Sequence, residues 1–218
     1  ALGGHRAPGD PGSAAETGLA VSWSARENLV WRTPLPGPGA GTPAVVGDRV
    51  YVPAFDRQTG EVLALGLDRA TGRVLWRVPA GQGADTRDRG RENFGSSPSP
   101  AARGDRAWFL FGNGTVLCVD ASGRTVWKRD LAPPDGFQIN FGYASSPLLL
   151  GDTLYVEVLQ RAPSRLIALD AATGRERWSH ARTTTALEES QEAYTSPVPF
   201  TRGDRVLVLV FGGDRLTA

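Results

Sequence analysis

Asp68-Arg69-Ala70-Thr71-Gly72-Arg73-Val74-Leu75-Trp76 is a polar turn followed by a short apolar run that carries a tryptophan. The pattern returns as Asp120-Ala121-Ser122-Gly123-Arg124-Thr125-Val126-Trp127 and as Asp170-Ala171-Ala172-Thr173-Gly174-Arg175-Glu176-Arg177-Trp178. In every copy the tryptophan stands four residues after the glycine, and the tryptophans are 51 residues apart (76 to 127, 127 to 178). A fixed period of this size marks a supersecondary unit that stacks on copies of itself.

A second landmark keeps the same register. Ser/Thr-Pro opens an apolar run at Pro43, Pro98, Pro147 and Pro197, and each run leads to Gly-Asp at Gly47, Gly104, Gly151 and Gly203. Beyond each Gly-Asp lies a β-rich stretch such as Leu154-Tyr155-Val156. Gly-Asp between two apolar runs is a hairpin signal. The third stretch ends on the aspartate of the opening pattern, and the fourth holds the tryptophan. An aspartate at the turn accepts backbone amide hydrogen bonds, and glycine supplies the positive φ that closes it. Asp68 and Gly72 are therefore turn chemistry. Four antiparallel strands in about 50 residues fit a propeller blade, and no sustained three-and-four apolar spacing suggests a helical solenoid.

The fold class expected is all-β, a β-propeller of four-stranded antiparallel blades in an incomplete ring. An irregular extension occupies 1–18 and a partial propeller 19–218, with blades at about 42–78, 96–129, 145–179 and an incomplete one at 195–218. Glu27-Asn28-Leu29-Val30-Trp31-Arg32 looks like a fourth strand without its first three, so a closing strand is expected at about 27–33. Its partners would come from C-terminal blades of the same chain, removing exposed sheet edges. Arg215-Leu216-Thr217-Ala218 matches Arg165-Leu166-Ile167-Ala168, so the chain is expected to stop inside a third strand, as an N-terminal fragment of a larger ring.

The 218 residues are 40% hydrophobic with 27 glycines and 16 prolines, a turn-rich globular composition. Lys and Arg number 24 and Asp and Glu 23, for a net charge of +1, which gives no global field to recruit nucleic acid or an anionic membrane. No run of 18 apolar residues exists to form a transmembrane segment. The one cysteine, Cys118, alternates with Leu117 and Val119 and reads as a small buried hydrophobe. His5 and His180 are far apart and lack cysteine companions, so no metal site is expected of them.

With Leu-Asp-x-x-Thr-Gly-x-x-x-Trp in its blades, the chain resembles the pyrroloquinoline-quinone-like β-propeller repeat family over about residues 19 to 218. It is most similar to a bacterial secreted branch that opens on Trp-Ser-x-x-x-Asn-x-x-Trp-x-x-x-x-Pro-Gly, which here runs from Trp23 to Gly37. The preceding Trp-Arg-Gly-Pro of that branch is replaced by His5-Arg6-Ala7-Pro8. The resemblance implies a periplasmic or extracellular ring of seven or eight blades. The family includes quinoprotein dehydrogenases and a lipoprotein scaffold for outer-membrane protein assembly, and fold does not choose between them.

Trp31, Trp76, Trp127 and Trp178, with Gly72, Gly123 and Gly174, are read as the residues that dock blade on blade. Ligand-binding candidates are sought in the connections between blades, at Glu92, Asn93, Asn140, Tyr143, Glu192 and Tyr194, because carboxylate, amide and aromatic groups converging on a channel suit a small molecule or Ca²⁺. No catalytic residue is assigned and no cofactor is expected. Pyrroloquinoline quinone with Ca²⁺ would need a carboxylate-rich site, and the adjacent-cysteine pair often found beside that quinone does not occur in this chain. The function expected is a non-catalytic binding scaffold for a protein or saccharide; the alternatives are a quinone-dependent alcohol or sugar dehydrogenase and an outer-membrane assembly scaffold.

Overall fold

The computed structural model describes residues 18, 20–83, 95–137, 139, 142–161 and 163–218. Among them, strands group into four antiparallel sheets in strict sequence order. Blade 1 contains β1 (Ala44–Val46), β2 (Arg49–Phe55), β3 (Glu61–Asp68) and β4 (Val74–Gln82). Blade 2 contains β5 (Ala101–Arg103), β6 (Arg106–Leu110), β7 (Thr115–Asp120) and β8 (Thr125–Asp130). Blade 3 contains β9 (Leu148–Leu150), β10 (Thr153–Val158), β11 (Ser164–Asp170) and β12 (Glu176–Arg182). Blade 4 has three strands, β13 (Val198–Arg202), β14 (Arg205–Gly212) and β15 (Arg215–Thr217). The architecture is an incomplete β-propeller.

All four first hairpins close through Gly-Asp, with end pairs Val46 and Arg49, Arg103 and Arg106, Leu150 and Thr153, and Arg202 and Arg205. Two registers differ from those read in the sequence. Because β5 starts at Ala101, Ser99-Pro100 and not Pro98 is the counterpart of Thr42-Pro43, Ser146-Pro147 and Ser196-Pro197. The β14–β15 turn is also tight, pairing Gly212 with Arg215, whereas Val158 pairs with Arg165 in blade 3. Thr217, paired with Val210, therefore stands where Arg165 does, two residues from the position of Arg215.

Apolar side chains fill the seams between blades. Tyr51, Val62 and Ala64 of blade 1 meet Phe109, Leu117 and Val119 of blade 2. Trp108, Leu110 and Trp127 of blade 2 meet Leu154, Val156 and Ile167 of blade 3. Leu159 and Leu166 of blade 3 meet Val210 of blade 4.

The repeated turn is the outer fastening of these seams. Asp68 Oδ1 accepts from the amide and hydroxyl of Thr71, at 2.8 and 2.7 Å, and Asp170 Oδ1 does so from Thr173, at 2.9 and 2.8 Å. Asp120 accepts from Ser122 in the same way. These bonds favour the ionised carboxylate and hold Asp68 and Asp120 below their ordinary range, and Asp170 is held there by Arg177 first and Thr173 second.

The backbone of each turn receives the tryptophan of the blade before it. Trp76 Nε1 donates to Ala121 O at 3.1 Å and its ring lies against Gly123; Trp127 Nε1 donates to Ala171 O at 3.0 Å and lies against Gly174. Trp31 is seated on blade 1 in the same way, with Nε1 donating to Arg69 O at 2.8 Å and its ring against Gly72. Thr33 adds a hydroxyl bond to Gly72 O. The segment around Trp31 has no strand pairing among the described residues, so its attachment to blade 1 rests on these side chains. Among the described residues no repeat turn lies against Trp178, which is 45% exposed, whereas Trp127 is 8% exposed.

Within a blade the tryptophan needs a small partner on the neighbouring strand. Gly66 pairs with Trp76, Cys118 with Trp127 and Ala168 with Trp178, and each pair is followed at once by a register shift. A Cβ on Gly66 would lie 2.1 Å from the Trp76 ring. Cys118 thus fills a small-residue slot, and burial pushes its thiol up to about 12. Since the thiolate is the reactive form, Cys118 should resist an aromatic disulfide reagent at mildly alkaline pH and react stoichiometrically in denaturant. Rapid labelling of the folded chain would contradict this packing.

Candidate functional site

The first strands lie nearest one another, β1 beside β5 and β5 beside β9, and form the inner wall of the arc. At their entrance runs a series of hydroxyls. Thr42 N–H donates to Ser99 Oγ, Ser99 N–H to Ser146 Oγ and Ser146 N–H to Ser196 Oγ, each at 2.8 Å. Proline at the next position restricts each donor residue to extended backbone, which aims its amide at the following blade.

The links from a fourth strand to the next first strand lie on the same face as the hairpins between second and third strands. Asn113, in the β6–β7 turn, donates to Ala80 O and Gln82 O at the end of blade 1. Asp214, in the β14–β15 turn, accepts from the Thr184 and Thr185 hydroxyls after blade 3, and these bonds hold its carboxyl below the usual range.

Of the six ligand-binding candidates, Glu92, Asn93 and Asn140 lie outside the described residues. Tyr143, on the connection from blade 2, packs in the seam of blades 2 and 3 and reaches Glu157 of β10, while Glu192 and Tyr194 are on the following connection, at the seam of blades 3 and 4. Tyr143 is buried and donates its hydroxyl to Glu157 O, while its ring stacks on Phe137 with centroids 4.9 Å apart. Burial, then the Glu157 charge, raises its phenol well above the ordinary value. Glu192 has a buried side chain that accepts from Arg161 Nε at 3.0 Å and from Tyr194 O–H at 2.9 Å. Tyr194 is 38% exposed and the Arg161 side chain is half exposed.

The group that sequence reasoning missed is Glu157 on β10. It is 0% exposed, and burial pushes its carboxyl up to about 7 against opposing effects of Thr195, Arg182 and Ser145. Oε1 lies 2.9 Å from Thr195 Oγ1. Oε2 and the buried Ser145 Oγ have no hydrogen-bond partner. Strand registers place Glu157 level with Pro53, Leu110 and Leu209 in the other blades, all apolar. One acid at a position that is otherwise apolar is the signal that could have found it.

A quinone with Ca²⁺ needs anionic oxygens open to a cavity. The carboxyls described at this seam do not fit: Glu157 is enclosed, Glu192 is turned inward to Arg161 and Tyr194, and Asp214 is engaged by Thr184 and Thr185. Among the described residues no cluster of three His, Cys, Asp or Glu could hold a metal ion. No helix among them is long and apolar enough to cross a membrane.

Solved structures similar to this chain include BamB from Moraxella catarrhalis, at 20% identity and a TM-score of 0.56, covering 84% of this chain and 50% of that one. A europium-containing methanol dehydrogenase matches at 18% identity and a TM-score of 0.54, over 75% of this chain and 29% of that one. The computationally designed Ika4 protein matches at 12% identity and a TM-score of 0.56, over 88% of this chain and 96% of that one. The chain spans half or less of the two natural proteins. No curated protein matches it. The family model described as outer membrane protein assembly factor BamB matches residues 12–140 and 61–218. With nearly the whole chain so matched, and with blades 1 to 3 each receiving a docked tryptophan, it belongs to this BamB and PQQ-like repeat family.

Proposed function

We propose that the chain is part of a non-catalytic, extracytoplasmic scaffold that binds a protein through its connection face, in the manner of an outer-membrane assembly factor. The observation that carries this reading is the use of polar groups at the blade 3–4 seam. Glu157 and Glu192 are turned inward and Asp214 is bonded to Thr184 and Thr185, while Tyr194 and half of the Arg161 side chain are left at the surface. Tyrosine and arginine are enriched where proteins meet proteins. The repeat turns on the opposite side are filled by docking contacts and show far less room for variation. The family description, outer membrane protein assembly factor BamB, supports the same reading.

The test is a photo-crosslinking amino acid at Tyr194, with one at Arg175 in the repeat turn as control, in a bacterial host that assembles outer-membrane proteins. Crosslinks to an assembly component from position 194 and not from 175 are expected. In parallel, the protein is incubated with pyrroloquinoline quinone and Ca²⁺. Stoichiometric retention of the quinone with dye reduction by alcohols or sugars would replace the scaffold with a dehydrogenase.

A further inference from the structure

The Thr195 hydroxyl has one proton but two oxygens in reach, Glu157 Oε1 at 2.9 Å and the carbonyl of Phe211 on β14. An ionised Glu157 would leave three acceptors to the Thr195 proton, two of them on a carboxylate that is 0% exposed, and the nearby Ser145 hydroxyl, which lowers the cost of the anion, makes no hydrogen bond to it. Burying an anion without enough donors is costly, and the group neutralises instead. With a proton on Oε1, no charge is enclosed and the Thr195 conflict is resolved: Glu157 donates to Thr195 Oγ1, and Thr195 donates to Phe211 O, while Oε2 stays unpartnered as a neutral carbonyl oxygen. That chain runs from β10 of blade 3, through the following connection, to β14 of blade 4.

We propose that Glu157 holds a proton in the closed protein and that this proton latches blade 4 to blade 3. The other charged or titratable groups facing the seam leave the carboxyl without a counter-ion in contact. Arg182, at the end of β12, attracts the anion from a distance but directs Nη2 to Arg215 O. Tyr143, from the preceding connection, gives its proton to the backbone oxygen of Glu157 and not to the carboxyl. From the following connection, Glu192 is paired to Arg161. In the β14–β15 turn, Asp214 is bonded to Thr184 and Thr185. When the seam opens, Glu157 is hydrated and releases its proton to solvent, so opening becomes easier as pH rises through the value at which the enclosed acid would ionise.

Amide hydrogen exchange on the 218-residue chain tests this, corrected for the intrinsic pH dependence of exchange. From about pH 5 to about pH 8, protection of β13 and β14 should fall on the order of 50-fold, the ratio given by an acid that titrates near 4.5 when open and near 7 when closed. Blades 1 and 2 should not follow. Glu157→Gln, whose amide can donate to Thr195 without ionising, should keep β13 and β14 protected at both pH values. A pH response in Glu157→Gln equal to that of the parent would overturn the latch. Infrared spectroscopy of the parent protein gives a readout independent of that variant's folding. A protonated-carboxyl C=O band should persist near pH 6 and vanish near pH 9, and its absence near pH 6 would also overturn the proposal.

Discussion

Replacing Trp127 with alanine should lower the unfolding free energy by about 4 kcal/mol, the range for deleting a large buried aromatic. The indole is nearly enclosed, fills the seam between blades 2 and 3, and its N–H bond to Ala171 O is lost with it. Trp178→Ala offers the comparison within the same repeat. That ring is about half exposed and packs within its own blade on Tyr155, at a centroid distance of 5.9 Å. Its loss should cost about 1 kcal/mol, in line with the smaller apolar area removed from contact. Urea unfolding of the three proteins measures both values. Equal costs for the two substitutions would mean that docking on the next blade contributes nothing beyond what the blade provides internally.

The second large effect is expected at Gly174. Its φ is +71°, and a Cβ there would lie 2.6 Å from the Trp127 ring. Gly174→Ala therefore combines left-handed backbone strain with overpacking, for a total of about 3 kcal/mol. Gly151→Ala isolates the backbone part, because Gly151 has φ +58° and nothing within 4 Å of its Cβ position. That substitution should cost about 1 kcal/mol. If thermal unfolding gives the two variants the same midpoint, the indole moves aside freely and the seam is looser than the packing indicates.

The blades were legible because their signals are local. An aspartate that caps its own turn, a glycine with positive φ and a tryptophan four residues later are spaced by backbone geometry alone. What each glycine does for the blade before it was not legible. Gly174 meets a ring 47 residues upstream (127 to 174), and that distance is set by the stacking of blades. The Ser/Thr-Pro landmark was visible too, but Ser97-Pro98 precedes Ser99-Pro100, and only pairing of Ala101 with Trp108 selects the second. Tyr143, Glu192 and Tyr194 were found as residue types in a connection. Their hydrogen bonds, Tyr143 to Glu157 O and Arg161 to Glu192, depend on how the two connections fold back against blade 3. Glu157 was hidden inside Leu154-Tyr155-Val156-Glu157-Val158, where alternation in one strand cannot tell a solvent-facing acid from one sealed in a seam.

The hydroxyl series along the inner wall has a direction: each of its three amides points to the blade that follows it in the chain, as Trp76 and Trp127 do on the outer side. Both junctions of a blade are therefore of one kind, a donor leaving and an acceptor receiving. A blade duplicated between two others would find a hydroxyl waiting for its amide and present a hydroxyl to the amide behind it. The ring's size is then not encoded in any single contact. It is the outcome of how many interchangeable units the gene strings together before curvature brings the ends to meet, which makes gain or loss of a whole blade an easier change than insertion of a few residues into one.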